Sequence, residues 1–131
     1  VEILERYIQE ITEDLKLDEF TIKDASLKSP GRKHFWVSRL INHKRNLYKL
    51  EAQLEETLGT LVNEVQSQAV IKLSKDSVIT AAQNNDLIKN LKLQIKEEKL
   101  IIEFLEKTEK SFSSLTYDIK NIIDIIKLEQ M

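Results

Sequence analysis

The chain has 131 residues, two glycines, one proline and no cysteine, and 32% of it is charged. So little Gly and Pro cannot supply the turns of a sandwich or barrel. The lack of Cys excludes disulfides, thiolate nucleophiles and Cys-based metal sites.

The net charge of −2 hides a segregation: residues 1–24 carry 3 basic and 8 acidic side chains, residues 25–50 carry 7 and none, residues 51–131 carry 10 and 14. Blocks of this kind predict a basic surface for a polyanion beside an acidic arm.

In chain order, Ile3, Leu4, Tyr7, Ile8, Ile11 and Leu15 recur at three- and four-residue spacings and predict a helix over about 2–16. With the aperiodic stretch Asp18 to Ser29 it forms an acidic N-terminal arm, residues 1–29. A long helix is predicted over 30–66, with Ser29 as N-cap and Pro30 as its first residue. Its seam runs Trp36, Leu40, His43, Leu47, Leu50, Leu54, Leu58, Leu61 and Val65, over roughly 55 Å at 1.5 Å per residue.

Residues 67–85, with β-branched pairs at Val70-Ile71 and Val78-Ile79 between turn and cap residues, predict a connector that has room for a short helix. A second long helix is predicted over 86–131. Its seven-residue frame holds Ile88, Leu91, Ile95, Ile102, Leu105, Phe112, Ile119, Ile123 and Ile126, with Glu98, Glu109 and Thr116 at the remaining seam positions. The serines of Ser111-Phe112-Ser113-Ser114 are modest helix formers that could break it.

The expected fold is all-α and one domain: a short N-terminal helix and two long helices packed as a hairpin. Such a hairpin encloses no core, and the last helix carries a stripe, widened on one side by Leu87, Ile101, Leu115 and Ile122, that is broader than one partner covers. Each exposed Leu or Ile forfeits about 1.5–3 kcal/mol, so a homo-oligomer is expected, with Ile102, Leu105, Phe112, Ile119, Ile122, Ile123 and Ile126 at the interface. A closed bundle of three or four helices is the alternative.

Catalytic chemistry is not expected. His34 and His43 are nine residues apart, about 900° around a helix and so on opposite faces; His43 reads as a hydrogen-bonded packing residue. No Gly-rich phosphate loop, metal-ligand set or base beside a serine is present, so neither cofactor nor metal is expected. No signal-peptide pattern and no uncharged apolar run of about 18 residues occurs, so the expected location is the cytoplasm.

The one constellation with chemistry is the basic window. Lys28, Arg32, Lys33, Arg39, Lys44, Arg45 and Lys49 can neutralise phosphates, with Phe35, Trp36 and Tyr48 interleaved. Cations with aromatic faces suit single-stranded nucleic acid, whose unpaired bases stack without sequence readout. Trp36 falls in the seam and is expected in the core; Phe35 lies off it and is the stacking candidate. The competing reading is a basic helix that only pairs with acidic neighbours of its own chain.

The order of segments resembles the UvsY family of T4-like bacteriophages, the recombination mediator proteins. An acidic amphipathic helix leads through Leu17-Asp18-Glu19-Phe20 to Ser26-Leu27-Lys28-Ser29-Pro30. The long helix brings Trp36, Lys44, Leu47 and Lys49, then Leu50-Glu51-Ala52-Gln53. The C-terminal stretch runs from Asp86-Leu87-Ile88-Lys89 through Leu93-Gln94 and Ile102-Glu103-Phe104-Leu105 to Tyr117-Asp118-Ile119-Lys120-Asn121. The resemblance implies a helical protein assembled into a closed ring in the host cytoplasm. Its implied partners are single-stranded DNA, a phage RecA-like recombinase and the phage single-strand-binding protein that is displaced as the recombinase loads. It departs at Thr57-Leu58-Gly59-Thr60-Leu61-Val62-Asn63-Glu64-Val65, where family members carry a Lys/Arg-rich element followed by tyrosines and a Gly-Lys. Family DNA contacts cannot be carried onto that stretch. Lys28, Lys44 and Lys49 are where family pattern and charge agree.

Overall fold

Apolar side chains at three- and four-residue spacings, with almost no Gly or Pro between them, wind the chain into helices. The computed structural model describes residues 2–17, 22–68 and 73–130. They form α1 (Glu2–Asp14), α2 (Ile22–Gln68), α3 (Lys75–Gln83) and α4 (Asp86–Glu129), with no strand among them. The expected positions Asp18, Glu19, Phe20, Val70 and Ile71 lie outside the described residues.

Two boundaries correct the sequence reading. Helix α2 begins at Ile22, so Pro30 sits inside it and Ser29 is not its cap. Residues 22–29 are ordinary helix formers led by Asp24 in the first turn, where a carboxylate meets the positive end of the helix dipole. The cost falls at Ser26, whose carbonyl loses the N–H that Pro30 lacks. The break that residues 111–114 made possible is absent: α4 runs through them. Ser111 and Ser113 donate back to the carbonyls of Lys107 and Glu109 at 3.1 and 3.3 Å, satisfying their hydroxyls without leaving the helix. The connector does contain a short helix, α3, capped by Ser74, whose Oγ accepts from the Ser77 N–H at 3.2 Å. Asn85 caps α4 in the same way, accepting from the Leu87 N–H at 2.8 Å.

The chain divides into two compact units: Val1–Asn42 with Ile101–Met131, and His43–Leu100. In the first unit, the start of α2 lies along the end of α4: Ser26, Ser29 and Pro30 share a cavity of about 120 Å³ with Thr116 and Ile119. Its core holds Ile11, Trp36, Leu40, Ile101, Ile102, Leu105, Phe112, Leu115 and Ile119, none more than 8% exposed. In the second unit, the core is Val78, Ala82, Ile88, Leu91 and Ile95. There His43 Nδ1 meets Glu98 Oε1 inside the packed seam, so His43 is the hydrogen-bonded packing residue the sequence predicts.

The buried line of α4 departs from one seven-residue frame. It runs Ile88, Leu91, Ile95 and Glu98, reaches Ile101 and Ile102 together, then continues Leu105, Thr108, Phe112, Leu115 and Ile119. Glu109 and Thr116, the predicted seam positions, are exposed. The shift falls at the boundary between the units. Before it α4 belongs with α3 and the second half of α2; after it, with α1 and the first half of α2. A change of surroundings, not helix periodicity, moves the line by one residue.

Candidate nucleic-acid interface

The predicted cations divide between the units. Lys28, Arg32, Lys33, Arg39 and the aromatic Phe35 belong to the first; Lys44, Arg45 and Lys49 belong to the second. Arg45 and Lys49 are exposed, and Lys44 is half-buried.

In the first unit the cations are built into an aromatic cluster. Trp36, 1% exposed, is the largest core side chain. Its ring makes T-shaped contacts with Tyr7 and Phe35, with centroids 5.5 and 5.7 Å apart and the planes nearly perpendicular. The spacing of α2 places Arg32 and Arg39 three before and four after Phe35, on its stripe. Their guanidinium carbons lie 4.3 and 4.1 Å from the Phe35 ring centre. The Arg39 carbon also lies 4.6 Å from Tyr7 and 4.8 Å from Trp36. Phe35, expected as the stacking ring, is half-buried and engaged by two guanidinium groups. The guanidinium planes are themselves surfaces on which bases stack.

Helix α1 supplies the counter-charges. Asp14 Oδ2 accepts from Trp36 Nε1 at 2.7 Å, Arg32 Nε at 2.9 Å and Arg32 Nη2 at 2.7 Å. Glu10 Oε2 accepts from Arg39 Nη1 at 2.6 Å. These partners are 18 to 29 residues apart in sequence. Lys33 donates to Ser113 Oγ at 3.3 Å. Lys28 stays exposed beside a groove of about 390 Å³ lined by Glu13, Asp14, Lys16, Asp24, Ala25, Ser29 and Arg32.

Asp14 therefore holds the indole, the guanidinium and α1 together. Replacing it by alanine leaves the Trp36 N–H buried without an acceptor, a loss of about 1–3 kcal/mol. Arg32 is 37% exposed at its side chain and re-solvates cheaply. We expect Asp14→Ala to lower stability by about 2 kcal/mol, read as a reduced urea midpoint at unchanged slope. An unchanged midpoint rejects this account of the contact.

Two other predicted features are placed differently. Residues 57–65 lie in the second unit, where Leu58, Gly59, Val62 and Asn63 line an apolar groove of about 670 Å³ with Leu73, Val78 and Ile79. Glu55 and Lys75 are its charged lining residues, so this stretch offers no phosphate platform. Of the expected interface residues, Ile102, Leu105, Phe112 and Ile119 are buried within the first unit. Their apolar surface is spent inside the chain. Ile122, Ile123 and Ile126 remain half-buried, with Ile125 and Leu128 at 55% and 69% exposure beside them.

Among the described residues no group of three His, Cys, Asp or Glu side chains is placed to hold a metal. No described helix is long and apolar enough to cross a membrane.

Sequence reasoning identified the cations but missed Glu10 and Asp14 as their partners. The only signal was the acidic excess of residues 1–24.

No family profile and no curated protein matches the chain by sequence. Solved structures do. The chain is similar to the recombination mediator protein UvsY of bacteriophage T4 in three crystal lattices. In lattice type IV the TM-score is 0.84 at 15% identity, covering 96% of this chain and 98% of that one. In lattice type II it is 0.82 at 14% identity, covering 97% of each. In lattice type I it is 0.80 at 14% identity, covering 92% and 96%. The chain thus has a UvsY-like fold along nearly its whole length.

Proposed function

We propose that this chain, sharing its fold with a phage recombination mediator, is itself one. It binds single-stranded DNA through the cation-bearing part of α2 and promotes loading of a RecA-like recombinase while single-strand-binding protein is displaced. It works without catalysis, as a homo-oligomeric ring in the host cytoplasm. The observation that carries this reading is the UvsY-like fold over nearly the full length of both chains. The seven cations and no carboxylate within residues 25–50 give that fold a surface for phosphates. The guanidinium–aromatic cluster adds sequence-tolerant stacking. The apolar end of α4 around Ile122, Ile123 and Ile126 is the surface that supports assembly.

A second reading is favoured by one observation. Arg32 and Arg39 already have carboxylate partners in their own chain. A helical scaffold with no nucleic-acid role would use them only for packing, and it would not bind oligo-dT even at low salt.

The test is a titration of labelled oligo-dT at several salt concentrations, with Arg32, Lys33, Lys44 and Arg45 replaced together by alanine. Each phosphate contact to a single strand contributes about 0.7 to the slope of log affinity against log salt. We expect the variant to bind more weakly, with a slope flatter by up to about 3. An unchanged slope removes these residues from the interface, and no binding by the parent rejects the mediator reading.

A further inference from the structure

We infer that α1 is a tethered acidic competitor for the cation–aromatic face of α2, and that a single strand binds this face by lifting α1 away. The inference rests on the mediator reading above and concerns how its site opens.

The geometry makes α1 a stand-in for a phosphate backbone. A guanidinium offers its N–H fork to a carboxylate or to a phosphate with the same planar geometry. In this fold the forks of Arg32 and Arg39 are occupied by Asp14 and Glu10 at 2.6–2.9 Å. The helix that presents those carboxylates carries five acidic residues and one arginine between Glu2 and Asp14. One stacking face is covered in the same contact, since the Arg39 guanidinium carbon lies 4.6 Å from the centre of the Tyr7 ring of α1. The phosphate-binding forks and the Arg39 plane are thus blocked together, by one element.

Little of that element is itself buried. Of the 13 residues of α1 only Ile11 is buried. Ile3 and Ile8 are 38% and 43% exposed. A helix of this length is marginal in water by itself, so once undocked it unfolds. Such elements populate the low-stability end of a fold. Because α1 is covalently attached, its local concentration is high. It competes without being consumed, and it re-covers the face when the strand leaves. A protein that hands its strand to another benefits from a site that closes behind it.

Two measurements on the full chain test this. In hydrogen exchange, peptides covering residues 2–14 are compared with and without saturating oligo-dT; we expect faster exchange in the complex. In oligo-dT titrations, Glu10→Gln, which keeps the side-chain shape and removes its charge from Arg39, is expected to tighten binding about two- to fivefold. Circular dichroism establishes that the variant is folded; if it is not, the exchange result alone decides. Unchanged or slower exchange in the complex overturns the inference, as does unchanged or weaker affinity in a folded variant. If the parent chain binds no oligo-dT, the mediator reading itself fails, which separates the two outcomes.

Discussion

Replacing Phe112 by alanine is expected to destabilise the chain by about 3–5 kcal/mol. Phe112 is 1% exposed and sits among Leu105, Thr108 and Leu115 on the buried line of α4. Truncation removes the transfer free energy of the ring and leaves a cavity that two long helices cannot collapse. A domain of this size has about 5–15 kcal/mol in total, so the variant keeps little margin at 37 °C. The readout is thermal unfolding followed by circular dichroism. A shift below a few degrees would mean that Phe112 is not the core anchor its burial indicates.

The second large effect comes from a polar pair. Replacing His43 by alanine strands the Glu98 carboxylate, whose side chain is 10% exposed. Removing one partner of a buried pair costs about 3–5 kcal/mol, because the other is left without compensation. Replacing both residues by leucine is different: it removes the desolvation cost together with the attraction, and such exchanges are neutral or stabilising by about 1–4 kcal/mol. We therefore expect His43→Ala to lower the urea midpoint sharply and the His43→Leu, Glu98→Leu double variant to keep or raise it. A double variant as unstable as the single one would show that the pair contributes packing no leucine reproduces.

Much of this was readable from the sequence because it is local. Helix α1, both long helices and the caps of α3 follow from spacing and cap chemistry over a few residues. The burial of Trp36 and the hydrogen-bonded role of His43 follow from seam position. What was not readable depends on contacts distant in sequence. Nothing near Arg32 or Arg39 announces that carboxylates 18 and 29 residues earlier hold them. Ile101 and Leu115 were legible as residues that widen the stripe of α4, but nothing in its seven-residue frame announces that the buried line shifts to them and to Thr108 while Glu109 and Thr116 stay exposed. Pro30 misled for a related reason. Its preference for a first helical turn is genuine, but here Pro30 lies inside α2, beside a cavity it shares with Thr116 and Ile119.

Pro30 also divides α2 in terms of helix nucleation. A helix grows cooperatively because each added residue closes one more hydrogen bond onto the turn before it. At Pro30 that propagation is interrupted, since no N–H reaches the Ser26 carbonyl. Residues 22–29 cannot simply extend a helix seeded further along; they need a seed of their own, which eight residues in water do not provide. Their order must be lent by what they lie against, and on one side that is the end of α4. The head of α2 therefore depends on its neighbours for helical order more than the remainder of the helix does.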